Sequence, residues 1–142
     1  MKKIAWFLFA SVVLISCVSG EPNPLKLNSD ACDFCKMTIA NRQFGAELIT
    51  PKGRYYKFDD VACMIHFAKS NPTVTSLLLF VGDFGLNSKL VPVENCIYLK
   101  GGTIKSPMNG NSIAFSSKKL AQQYQSKYKA DLVTWNELYS SF

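Results

Sequence analysis

The sequence predicts an α+β protein: two small, related ββαβ lobes packed together behind an N-terminal lipoprotein signal and tether. Three observations carry this. The order strand, strand, helix, strand can be read twice along the chain. An aromatic residue stands immediately before each helix start, Phe58 in one copy and Phe115 in the other. The resulting offset of 57 residues pairs Asp59 with Ser116, Cys63 with Leu120 and Phe67 with Tyr124. Finally, 142 residues less a targeting segment leave about 55 per copy, marginal for an independent core, so the copies are expected to pack against each other.

The chain opens with Lys2 and Lys3 and an apolar run from Ile4 to Ile15, broken only by Ser11. That run is too short for a stable bilayer span, which needs about 20 apolar residues. It fits the apolar region of a secretory signal over residues 1–16. Leu14-Ile15-Ser16-Cys17 reads as a lipobox, with a small residue before a cysteine whose thiol accepts the lipid. Several acyl chains make a durable anchor. Residues 17–28, with Pro22 and Pro24, form an extended, lipidated tether. Without residues 1–16 the formal net charge of +6 falls to +4, and the remaining basic residues are scattered. Export and scattered charge argue against a nucleic-acid binder. No later stretch suits a membrane span, and the length excludes a large multidomain enzyme.

The first lobe is expected over residues 29–85. Asp30 to Ala40 reads as a turn entering a short strand. Ala46–Thr50 and Arg54–Phe58 make a hairpin around Pro51-Lys52-Gly53. Asp59 caps a helix to about Ser70, with Val61, Met64, Ile65 and Ala68 as its apolar stripe and Asn71-Pro72 as its stop. Val74–Val81 is a buried strand. The second lobe, residues 86–142, repeats the plan. Strands are expected over Val93–Leu99 and Ser112–Phe115, then a helix from a Ser116 cap to about Tyr128. A strand over Asp131–Thr134 and a short helical tail close the chain.

Chemistry concentrates in Cys32-Asp33-Phe34-Cys35-Lys36-Met37. Two thiols three residues apart can converge on one ion where the backbone turns. Met37, two residues beyond Cys35, shares its face if the segment is a strand. Thiolate plus thioether suits Cu(I) rather than magnesium, calcium or manganese. Zinc also accepts two thiolates but usually seeks further cysteine or histidine. Two other readings fit the same pair: a structural disulfide, and a thioredoxin-like couple. The couple wants a strand before the motif and a helix after it, whereas here a tether precedes and a Thr-Ile strand follows. Met108, in the turn-rich Ser106-Pro107-Met108-Asn109-Gly110, is a further thioether on a loop, either a ligand or a plug between lobes. Met64 belongs to the core stripe, His66 borders it, and Cys96 reads as a packed thiol. Asp59 and Asp60 read as helix-start acids, and Asp83 as the beginning of a turn or a hydrogen-bonding partner of the metal loop. Cys63 either approaches the cysteine pair or packs as a small apolar residue. There is no nucleophile elbow, phosphate loop or dinucleotide fingerprint.

Taken in order, these segments resemble the NosL family. They are the lipobox at Cys17, Cys32-x-x-Cys35-x-Met37, Phe58-Asp59-Asp60 with Cys63-Met64, Phe80-Val81-Gly82-Asp83-Phe84, and Pro107-Met108-Asn109-Gly110 leading to Ala114-Phe115-Ser116. Each segment alone is weak, but the ordered set spans essentially the whole mature chain. The resemblance implies a periplasmic Cu(I) metallochaperone; its lipid anchor is expected in the outer rather than the inner membrane. The chaperone would hand copper towards nitrous-oxide reductase, in denitrification, together with an ABC-type maturation complex. A monomeric carrier, not an enzyme, that binds no nucleic acid is expected. By position, Cys35 and Met37 match the family's Cys-Gly-Met ligands and Met108 its Pro-Met-Gly methionine. Cys32 matches a cysteine found in part of the family and joins as a further ligand. From the residues alone, Asp83 and Cys63 are expected just behind. Lys36 and Asn109 stand where that pattern has glycine. The competing functions are a periplasmic thiol–disulfide oxidoreductase using Cys32 and Cys35, and a structural lipoprotein held by disulfides.

Overall fold

The computed structural model describes residues 20–73, 77–86 and 89–142. The expected signal, the lipidation site Cys17 and the start of the expected strand at Val74 lie outside the described residues. The first copy comprises β1 (Ala46–Ile49), β2 (Tyr55–Phe58), α1 (Val61–Ser70) and β3 (Leu78–Gly82). β2 folds back antiparallel on β1, with Ala46 opposite Phe58. β3 pairs antiparallel on the other side of β1, with Ala46 opposite Val81. β4 (Leu90–Pro92) then adds an outer strand, giving the order β2-β1-β3-β4. The second copy follows as β5 (Ile97–Lys100), β6 (Ser112–Phe115), α2 (Lys118–Tyr128) and β7 (Asp131–Val133), in a sheet ordered β6-β5-β7. In both copies the first strand is central and the strand after the helix pairs with it. α3 (Trp135–Ser140) ends the chain behind a capping box built by Thr134 and Glu137. Among the described residues no helix is long and apolar enough to cross a membrane.

The repeat extends to side chains. Phe58 packs on Phe67 with ring centroids 5.4 Å apart, and Phe115 packs on Tyr124 at 5.3 Å. Both phenylalanines are fully buried. The copies are not separate cores, however. Phe58, Val61, Cys63 and Met64 lie in one apolar cluster with Tyr98, Ala114 and Leu138 of the second copy.

Two expectations are corrected. The single strand expected over Val93–Leu99 is divided: β4 ends at Pro92, a 3-10 turn covers Val93–Asn95, and β5 begins at Ile97. Proline has no N–H for a ladder and is tolerated only at sheet edges. Pro92 therefore ends an edge strand of the first sheet, carrying that sheet past residue 85. Both helix caps also fall one residue later than expected, at Asp60 and Ser117. The preceding residue is engaged elsewhere in each case: the Asp59 carboxylate accepts from Cys35, and the Ser116 N–H donates to Asp83. The new caps remain 57 residues apart.

Candidate metal centre

Residues 28–39 fold into a small hairpin whose tip carries the cysteines. The Cys32 N–H donates to the Met37 carbonyl at 2.8 Å, and the Lys36 N–H to the Cys32 carbonyl at 3.0 Å. Cys35 therefore lies in a turn rather than on the strand expected to align it with Met37. Asp33 clamps the tip to β2. Its N–H donates to the Lys57 carbonyl, its carboxylate accepts from the Lys57 N–H, and both distances are 2.8 Å. The Lys57 ammonium adds an ion pair with Asp30 at 2.7 Å. Because β2 leads directly into α1, this clamp brings the tip beside Asp59 and the first turn of α1. The ligand atoms of Cys32, Cys35, Asp59 and Cys63 all lie within 4.8 Å of one another. All four described cysteines are free thiols.

The thiols differ in environment. Cys32 is fully buried, yet the Cys63 thiol and the backbone N–H groups of Asp59, Cys35 and Phe34 point to its sulfur. Those donors outweigh burial and bring Cys32 down to about 6. Cys63, the thiol that donates, is pushed up, with burial adding to the effect. Burial likewise pushes half-buried Cys35 up to about 11, and its thiol donates to Asp59 Oδ1 at 3.4 Å. One sulfur is thus poised as a thiolate while two hold their protons until an ion displaces them. Three thiols and a carboxylate suit a soft or borderline cation, with donors enough for four-coordination.

The two candidate thioethers are at the surface. Met37 is 55% exposed and Met108 37%. Met108 rides on the loop 101–111 between β5 and β6, which is six residues longer than its counterpart 50–54 in the first copy. The loop reaches the start of α1, where the Met108 N–H donates to Asp60 Oδ2 at 3.0 Å. Lys36 and Asn109, the residues that replace family glycines, both adopt left-handed backbone, with φ 67° and 56°. Glycine has no steric penalty there, whereas other residues give up roughly 1–2 kcal/mol, asparagine least. A Lys36→Gly variant is expected to be more stable by about 1 kcal/mol, after allowing for glycine's greater unfolded freedom. Urea denaturation of the metal-free protein checks this, and a loss of stability refutes it.

The remaining sequence candidates fall as follows. Cys63, expected just behind the ligands, stands inside the cluster. Asp83 does not: its Oδ1 accepts from the Gly85 N–H at 2.7 Å and its Oδ2 from the Ser116 N–H at 3.0 Å. It makes a turn and ties the end of β3 to the second copy, where it bridges to Ala114. His66 is stacked on Phe34 at 5.7 Å and meets Phe142 edge-on at 5.8 Å. Met64 is core, and half-buried Cys96 packs against it. Sequence reasoning passed over Asp59. Its adjacency to Asp60 was the available signal, since one helix needs only one cap.

The NosL family model matches residues 24–142. The crystal structure of the copper chaperone NosL from Shewanella denitrificans has a similar fold, with a TM-score of 0.68 at 18% identity, over 83% of this chain and 95% of that one. Curated protein sequences yield no match. The family match runs from within the tether through both copies to the last residue, and the chain therefore belongs to the NosL family.

Proposed function

We propose that this protein is a periplasmic Cu(I) metallochaperone, lipid-anchored at Cys17 to the outer membrane, that carries copper for the maturation of nitrous-oxide reductase. The observation that supports it most is the convergence of three thiols within 4.8 Å, with exposed thioethers on the cysteine hairpin itself and on the loop that reaches the start of α1. Family membership, and a fold shared with a protein described as a copper chaperone, support copper as the cargo.

The ligand set is Cys35, Met37 and Met108, with Cys32 beside them and Cys63 and Asp59 completing the pocket. Met37 and Met108 present neutral, soft, weakly held donors at the surface. Cys35 is half-buried, whereas Cys32 and Cys63 are enclosed. An acceptor's sulfur ligands can replace the exposed thioethers first and the thiolates afterwards, so that copper passes through shared-ligand states without release. The acceptor is the reductase or its ABC-type maturation complex. Nothing turns over in this cycle, so the protein is a carrier and not an enzyme, acting as a monomer.

Anaerobic titration with Cu(I) against a competing chelator tests the proposal. One tightly bound Cu(I) per chain is expected, with Met37→Ala and Met108→Ala each lowering affinity by about tenfold, near 1.4 kcal/mol. A protein that cannot compete with the chelator, yet reduces disulfides in both methionine variants, is an oxidoreductase instead.

A further inference from the structure

We infer that Asp60 is a positioning residue that fixes Met108 over the thiol pocket, through the hydroxyl of Ser106. This rests on the copper reading above and adds what holds its two halves together. Asp60 is fully buried, and each of its oxygens serves a different half. Oδ1 accepts from the Ala62 N–H at 2.9 Å, closing the first turn of α1, the turn that carries Cys63. Oδ2 accepts from Ser106 Oγ at 2.6 Å and from the Met108 N–H at 3.0 Å. Ser106 Oγ in turn accepts from the Asn111 N–H at 2.7 Å, which folds the loop around the contact.

Gly110 closes the approach. A Cβ there would stand 2.6 Å from Asp60 Oδ1 and 2.8 Å from the Ala62 Cβ. The far end of the loop is fixed separately, because the Thr103 N–H donates to the Tyr128 carbonyl at 2.8 Å. The loop therefore spans from the end of α2 to the start of α1, and Met108 lies at the α1 end.

The counterpart 57 residues on shows that capping alone does not require this side chain. Ser117 caps α2 by accepting from the Leu120 N–H, with a single oxygen. A buried carboxylate is costly unless several donors satisfy it. At Asp60 the second oxygen gains its donors only from the Met108 loop. Groups that orient metal ligands without touching the metal commonly change affinity ten- to a hundredfold.

A double-mutant cycle on the full-length chain separates positioning from simple support of the fold. Ser106→Ala removes the hydroxyl and leaves the cap oxygen. It is expected to lower Cu(I) affinity about tenfold in the wild-type background. With Met108→Ala already present, its further effect should be less than about twofold, the scatter of independent sites. Asp60→Asn, which keeps a cap acceptor but turns an N–H₂ towards two donors, should show the same dependence on Met108. Circular dichroism confirms that each variant is folded. An equal loss in both backgrounds, or no loss in either, overturns the positioning role. If Met108→Ala alone leaves affinity unchanged, the ligand set fails first, and the role assigned to Asp60 falls with it.

Discussion

Replacing Cys35 with serine is expected to lower Cu(I) affinity more than about a hundredfold, beyond the range for groups that merely orient ligands. Cys35 is the half-buried thiol of the cluster, the other two being enclosed. A serine hydroxyl preserves the size and the hydrogen bond to Asp59 but offers a hard oxygen that does not ionise at neutral pH. Cu(I) strongly prefers sulfur. Cys96→Ser is the control, since that thiol lies outside the cluster in a strand-side position where burial pushes it up to about 12. Competitive titration of both variants decides the matter. A Cys35→Ser protein that keeps wild-type affinity removes Cys35 from the ligand set.

The second large effect concerns the fold. Phe58→Ala and Phe115→Ala are each expected to cost about 3–5 kcal/mol. That is a large share of the 5–15 kcal/mol typical of a domain. Both rings are fully buried at the end of the second strand of their copy, and each packs on an aromatic nine residues further along its helix. Equivalent positions in equivalent surroundings should give similar losses. Urea denaturation measures both. A loss below about 1 kcal/mol at either position would show that the copies are not built alike.

Periodicity exposed the repeat because strands and helices bury one face whatever surrounds them. The pairing of Phe67 with Tyr124 was legible on that ground alone. Helix starts were legible only to within a residue. Asp59 and Asp60 satisfy the same local capping rule, and the choice between them is made by Cys35 and Ser106, which are distant in sequence. The split at Pro92 similarly depends on β3, against which β4 pairs. The cysteine pair and Met108 stood out by residue type. The pocket did not, because Asp33 and Lys57 assemble it across 24 residues through one backbone and one side-chain hydrogen bond that leave no spacing rule. Lys36 and Asn109 show the complementary case. Their departure from a glycine pattern was visible in sequence, but its meaning, a left-handed backbone beside each thioether, required the structure.

The difference in hairpin loop length has a consequence for what the repeat has become. The positions matching Asp59 and Cys63 in the second copy are Ser116 and Leu120, so the second copy has no thiol pocket of its own. The first copy, with its five-residue loop, has no arm that reaches across. Two similar units have thus diverged, one keeping the thiols and the other the long loop. On the proposed ligand set, a partner that parted the seam would take away Met108 alone, loosening the ion about tenfold while the thiols of the first copy still held it.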